Sequence, residues 1–241
     1  MAVDEPVLDA RGLRRGEATL DIAMRRGEVV ALVGADEQEK TRWLRVLAGL
    51  RRSDGGSLHI CGEDVLAGRF MPHRKSGYLS AGAPLLSTFD VIANVMLPRL
   101  YHFQEAPLEA RRHAVQLLQQ TGFAAGNVLP AALDRLSSFQ AMLARALAMN
   151  PALLFVHEPF DITLAPHWNR IEAALLAGME TRALVIATQN LGFVQRHAQR
   201  VIFVHDGAVQ LFGSWDAFRD GGEAVAAYLA AMPKLFEEDA A

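Results

Sequence analysis

Four short apolar runs constrain this chain more than any other feature. They read "EVVALV" up to residue 33, "ALLFV" at 152–156, "ALVIAT" at 183–188 and "VIFVH" at 201–205. Strands with no polar alternation must be covered on both faces, and such strands belong to sheets sandwiched between helices. The segments between them carry helical spacing, so an α/β fold with a buried sheet is expected. Asp206-Gly207, between "VIFVH" and "AVQLF", has the composition of a tight hairpin turn. Between about residues 82 and 140 strand signals vanish. There "PLEARRHAVQLLQQTG" starts with Pro and ends with Gly, as helices do. The expected organisation is one domain over 1–241. Its core lobe comprises 1–81 and 141–241, and a helical subdomain is inserted at 82–140. Leu143, Ala144 and Leu147 read as helical core and Arg111-Arg112 as a solvated face.

A chain of 241 residues can bury a substantial single core. Its net charge of −3 gives no reason to expect a nucleic-acid partner, which calls for a clustered basic surface. The single cysteine, Cys61, cannot form an internal disulfide and suits a reducing cytoplasm. The start, "MAVDEPVLDA", is too acidic for a signal peptide. No run reaches the ~18 uncharged apolar residues of a membrane span, and Arg145 interrupts the most apolar region. The expectation is a cytoplasmic protein able to dock on something in the membrane. The tail "KLFEEDAA" is polar enough to fray.

The chemistry-bearing stretch is "GADEQEKT", residues 34–41, between an apolar strand and the helical pattern "RWLRVLAGL". A phosphate-binding loop has this outline: Gly, four residues, then Gly-Lys-Ser/Thr. Gly34, Lys40 and Thr41 fit. Glu39 stands where the second glycine belongs, and Asp36 and Glu37 add two more carboxylates.

At "ALARALAMNPALLFVHEPF" the chain resembles the ATP-binding-cassette (ABC) ATPases, whose pattern there is close to "ARAL…P.LLL.DEP". The resemblance covers nearly the whole chain, with landmarks in the family's order. They are the phosphate loop at 34–41, the glutamine-loop region "GYLSAGAPL", the signature helix "LSSFQ", the acidic strand "LLFVHEP" and the switch "ATQN". Within the family, "SAGAPLLSTFDVIANV", "EPFDITLAP" and "AVAAYLAAMP" look most like the ATPases of Mla/Mce-type lipid transporters. The resemblance implies a P-loop NTPase core with an inserted helical subdomain. It also implies a membrane permease as partner and a homodimer or heterodimer with another ABC ATPase subunit. The place it implies is peripheral, on the inner face of the cell membrane.

Set against that pattern, nearly every catalytic position departs. Loop glycines let backbone N–H groups close around phosphate at a helix N-terminus, and Glu39 removes that space. Two unit charges ~4 Å apart interact by ~1 kcal/mol in water and ~4 kcal/mol at an effective dielectric of ~20. Three carboxylates against a triphosphate therefore offset much of what Lys40 and the backbone would contribute. His157 falls at the position of the Mg²⁺-holding aspartate, although Mg²⁺ prefers oxygen ligands. Glu158 keeps the place of the glutamate that polarises water. Ala81 replaces the sensing glutamine and Gln189 the switch histidine. The signature Leu-Ser-Gly-Gly-Gln reads Leu136-Ser137-Ser138-Phe139-Gln140. Ser137 could still bond a phosphate, while Phe139 would crowd a partner's nucleotide. The segment "ARGLRRGEATLDIAM" lacks the aromatic residue on which the family stacks adenine.

Two readings of the loop follow. In one, Asp36 caps the helix, Glu39 returns a capping-box bond, and Lys40 pairs with Glu37, Glu39 or Glu158. In the other, some nucleotide binding survives. The first is preferred, so no cofactor is expected; if one binds, it is ATP with Mg²⁺, at Gly34, Lys40, Thr41 and Ser137. No metal site is expected, His157 being a satisfied structural histidine. Glu158 is retained as a catalytic candidate with nothing to act on. After Pro84, residues Leu85, Leu86 and Phe89 are candidate permease contacts. Val91, Ile92 and Val95 remain apolar too, and Val91 and Val95 read as core. Three functions compete: an inactive subunit docked on a permease, an altered or heterodimeric ATPase, and a soluble regulator reusing the fold.

Overall fold

A computed structural model describes residues 5–66, 74–80, 84–159 and 166–232. Ala81, residues 160–165 of "EPFDITLAP" and the tail "KLFEEDAA" lie outside the described residues.

The apolar runs form the centre of a six-stranded sheet. Strand β3 (Val29–Val33) lies between β9 (Arg200–His205) and β8 (Ala183–Ala187). Beyond β8 come β7 (Leu153–His157) and β6 (Ser76–Leu79), all parallel. β10 (Ala208–Phe212) adds an antiparallel edge through the two-residue turn Asp206-Gly207. Both turn residues have positive φ, 45° and 76°, as the twist of a tight hairpin requires. All residues of β3 and β8 are buried, which is why neither alternates in sequence.

A second, antiparallel sheet has the order β2-β1-β4-β5, from β1 (Leu8–Arg15), β2 (Ala18–Met24), β4 (Gly55–Ile60) and β5 (Glu63–Asp64). β2 alternates strictly between buried and exposed, so only one face of this sheet meets the core. Helix α1 (Glu37–Leu47) fills the space between the sheets. Its Trp43, Leu44 and Leu47 pack with Leu13, Leu20 and Leu58 of one sheet and Phe155 and Val185 of the other. The other face of the six-stranded sheet is covered by α4 (Arg135–Leu147), α5 (Trp168–Leu176), α6 (Leu191–His197), α7 (Trp215–Arg219) and α8 (Glu223–Ala231).

Helices α2 (Val91–Phe103) and α3 (Pro107–Gln120) pack against α4 to form a third apolar cluster. α4 serves two cores, because it crosses the expected boundary at residues 140 and 141 without a break. Phe139, Leu143 and Leu147 face the sheet; Ala141, Ala144 and Ala148 face α2 and α3. The segment before α2 is tied down by Asn94, which is fully buried. Its Nδ2 donates to the carbonyls of Leu86, Phe89 and Asp90, each at 3.0 Å, and its Oδ1 accepts from the Leu86 N–H.

Candidate functional site

The carboxyl ends of β3, β7 and β8 lie side by side, and each leads into a residue of the site. Crevices at this edge of parallel sheets are where α/β proteins bind ligands. β3 leads to Gly34, whose φ is 154° and whose place no other residue can take. A Cβ there would lie 2.3 Å from the Val204 carbonyl oxygen. β7 ends at His157 and hands over to Glu158, a non-glycine residue with φ of 42° whose N–H bonds to the Ala187 carbonyl. β8 leads through Thr188 to Gln189.

The loop then enters α1. Asp36 caps the helix, its Oδ1 accepting from the N–H groups of Gln38 and Glu39 at 2.8 and 3.1 Å. The cap is the one expected; the reciprocal bond from Glu39 is not formed. Instead Glu39 Oε1 takes Arg15 Nη2 at 2.7 Å and Arg42 Nη1 at 2.6 Å. Two charge-assisted bonds outcompete one bond to a neutral backbone N–H. Arg15 comes from the end of β1, so the antiparallel sheet is pinned over the loop by an ion pair. That is where the resemblance places an adenine-stacking aromatic.

Lys40 is fully buried. Its Nζ lies 2.5 Å from Glu37 Oε1 and 3.0 Å from Glu158 Oε1. Of the three partners expected for Lys40, Glu39 is thus excluded, being held by the two arginines. Glu37 Oε1 also accepts from Gln189 Nε2, and Glu158 Oε2 accepts from the Gln189 N–H at 3.3 Å. Thr41 Oγ1 donates to the Glu37 carbonyl at 2.7 Å and lies 2.8 Å from His157 Nε2. With the single hydroxyl proton committed to the carbonyl, His157 Nε2 carries the proton it gives to Thr41. His157 Nε2 is also 3.7 Å from Glu37 Oε2, which is buried and accepts no hydrogen bond among the described residues. Glu37 thereby gathers the loop lysine, the switch-position glutamine and the histidine of the acidic strand around one carboxylate.

Burial pushes the Glu158 carboxyl up, against the pull of Lys40, and Glu37 pushes the same way as burial. Burial holds His157 below its usual value; Glu37 opposes that shift, while Lys40 and Arg45 add to it. Beneath the loop, Tyr228 of α8 is buried against Phe203 and Phe218, and burial raises its phenol.

At the signature helix, Asp134 caps α4, accepting from the Ser137 N–H at 2.7 Å; this bond holds its carboxyl below the usual range. Ser137 is 8% exposed and engaged with Asp134, so it is not open to a phosphate here. Phe139 does not project toward a partner. It is 4% exposed, because the helix turns it into the core with Leu143 and Leu147. It helps line a cavity of about 310 Å³ with Leu79, Met142, His157 and Glu158. Leu85 is likewise core, 7% exposed and packed in the α2–α3–α4 cluster, so it is withdrawn as a surface contact. Leu86 and Phe89 are 49% and 43% exposed; Val91, Ile92 and Val95 are buried.

Sequence reasoning missed Arg15, Arg42 and Asp134. All three lie within a few residues of a recognised motif, and charge complementarity to Glu39 was a usable signal for Arg42 three positions on.

A parallel sheet that feeds a phosphate-loop outline from its central strand, with α1 behind it, defines a P-loop NTPase of the ABC cassette type. Solved structures share this fold. The dimeric structure of MJ0796, a bacterial ABC transporter cassette, matches with TM-score 0.71 at 20% identity, covering 86% of this chain and 98% of that one. The ABC transporter family profile matches residues 18–161. The lipoprotein-releasing system ATP-binding protein LolD of Chromohalobacter salexigens is 31% identical over 214 residues, covering 85% of each chain. The sulfate/thiosulfate import ATP-binding protein CysA of Ralstonia nicotianae is 30% identical over 209 residues, covering 82% of this chain and 55% of its own. The chain belongs to the ABC transporter family and is a homologue of its ATP-binding subunits.

Members of this family bind ATP with Mg²⁺, and the side chains here are a poor fit for that pair. Lys40 Nζ is enclosed by two carboxylates, Thr41 is bonded to His157, and an imidazole stands where a hard cation needs oxygen.

Lys40→Met should therefore behave as the loss of a structural ion. Removing one partner of a buried pair costs ~3–5 kcal/mol. The side chains of Glu37 and Glu158 remain 42% and 26% exposed, so a smaller loss is expected, about 2 kcal/mol at pH 7.5. Without Lys40 the Glu158 carboxyl rises further, so the folded state binds protons more tightly than the unfolded one. The deficit should shrink as pH falls toward 5. Urea denaturation of both proteins at the two pH values measures this; equal stability throughout contradicts it.

Proposed function

We propose that this chain is an ABC-transporter ATP-binding-subunit homologue that no longer hydrolyses ATP and acts as a cytoplasmic subunit docked on a membrane permease. The observation that carries this reading is Glu37, whose carboxylate engages Lys40 and Gln189, the residues at the phosphate-loop lysine and switch positions. The loop is closed around the protein's own anion. Degeneracy of the other positions supports it: Gln189 cannot carry a switch proton, and Glu158 is held by Lys40.

The body is read as a core lobe of 1–81 and 141–241 with the helical subdomain 82–140 presenting the permease contact. Leu86 and Phe89 are its proposed anchors, held outward by the Asn94 hydrogen bonds. Large apolar side chains concentrate binding energy in such contacts. Among the described residues no helix is long and apolar enough to cross a membrane, so attachment would run through the permease. Pairing with a second ABC ATPase subunit, as homodimer or heterodimer, belongs to the same reading. The cargo proposed is lipidic, from the resemblance to Mla/Mce-type ATPases; LolD relatives are named for lipoprotein release.

Phosphate release from wild type and Lys40→Ala should be the same, at background. A positioning or electrostatic group typically contributes ~10²–10³ in rate, so the combined changes leave little. Turnover near ~1 per second that vanishes in the variant would overturn the inactive reading. For docking, Phe89→Asp and Leu86→Asp should leave the circular-dichroism spectrum unchanged and move the protein from the membrane fraction to the supernatant. A wild type never found with membranes removes the permease-subunit reading in favour of a soluble regulator.

A further inference from the structure

Helix α1 carries a second feature along the flank that starts at Glu37. Glu37, Thr41 and Arg45 follow one another at i, i+4 and i+8, with Gln38 and Arg42 alongside. Arg51 reaches the same place from the turn that follows the helix. These six residues line one open hollow of about 270 Å³. Its charges are not equivalent. Glu37 is committed to Lys40, and Arg42 is neutralised by Glu39 at 2.6 Å. Arg45 and Arg51 are exposed, and neither pairs with a carboxylate among the described residues. The hollow thus presents two uncompensated guanidinium groups on a chain whose net charge is −3.

We propose that this hollow is a docking surface for an acidic segment of a partner protein, with Arg45 and Arg51 each taking one carboxylate. Guanidinium groups match carboxylates in a two-bond fork, which favours arginine over lysine at such contacts. A shallow hollow open to solvent suits inserted side chains. A compact polyphosphate fits less well, since its whole charge would gather beside Glu37, the carboxylate that lines the hollow. Carboxylates spaced along a chain keep their charge out at the two arginines. Because Glu37 and Thr41 line both the hollow and the phosphate loop, the surface rests on the closed loop of the inactive-ATPase reading; phosphate release tests that reading and peptide binding tests this one.

Fluorescence anisotropy of a labelled hexaglutamate peptide against the whole protein at low salt tests it. The wild type should bind, and a labelled hexalysine peptide should not. Arg45→Glu/Arg51→Glu should weaken hexaglutamate at least about tenfold. Both sites are exposed, and an unchanged melting temperature in the double variant certifies its fold. Arg111→Glu/Arg112→Glu, an equal charge change on α3, should leave affinity within about twofold. Loss of the same size in both double variants would mean non-specific charge attraction and would overturn the proposal. So would hexaglutamate binding the wild type and the Arg45→Glu/Arg51→Glu variant equally, or failing to bind the wild type. Tripolyphosphate binding tighter than hexaglutamate in an Arg45- and Arg51-dependent way would reassign the hollow to phosphate.

Discussion

The interaction on which the site depends is the contact of one buried ammonium with two carboxylates. Lys40 cannot reach solvent, and a buried cation without a counter-charge would cost several kcal/mol. Glu37 from the loop and Glu158 from the end of β7 supply that counter-charge. Because they arrive from different parts of the chain, the ion pairs tie the start of α1 to the edge of the sheet. Gln189 joins from β8, and His157 locks Thr41. In a phosphate loop the same joining would be done by a ligand.

The same substitution of inner for outer anion recurs. Asp36 caps α1 and Asp134 caps α4, the two helix starts that would face phosphate in the family pattern. Carboxylates there satisfy free N–H groups and the helix dipole, worth roughly 0.3–1 kcal/mol each at such positions. Glu39 goes further and recruits Arg15, closing the antiparallel sheet onto the loop. The proposed loss of catalysis and the stability of the loop then have one cause: the side chains of Lys40, Thr41 and Ser137 already hold protein groups.

Much of this was legible in sequence. The buried strands announced themselves by lacking alternation, and the Asp206-Gly207 hairpin by its composition. The helical cap at Asp36 followed from residue type and spacing, as did a partner for Lys40 among Glu37, Glu39 and Glu158, of which the first and last are found. The antiparallel sheet was not singled out, although β2 has the strict alternation of a half-buried strand; β5, at two residues, is too short to show a period. Local spacing also misassigned Glu39, whose partner Arg15 is 24 residues away. Leu85 and Phe139 were misread for a related reason. A residue's neighbours in sequence tell that it is apolar, but only packing decides which way it points: α2, α3 and α4 enclose Leu85, and the six-stranded sheet covers Phe139.

On this view the protein's own carboxylates exclude nucleotide. Calorimetric titration of ATP, with and without Mg²⁺, into wild type and into Asp36→Ala/Glu37→Ala/Glu39→Gly tests it most directly. The wild type should give no saturable heat, and the triple variant should be less stable and bind measurably. Tight, Mg²⁺-dependent binding by the wild type, or a triple variant that gains stability and binds no better, would contradict it.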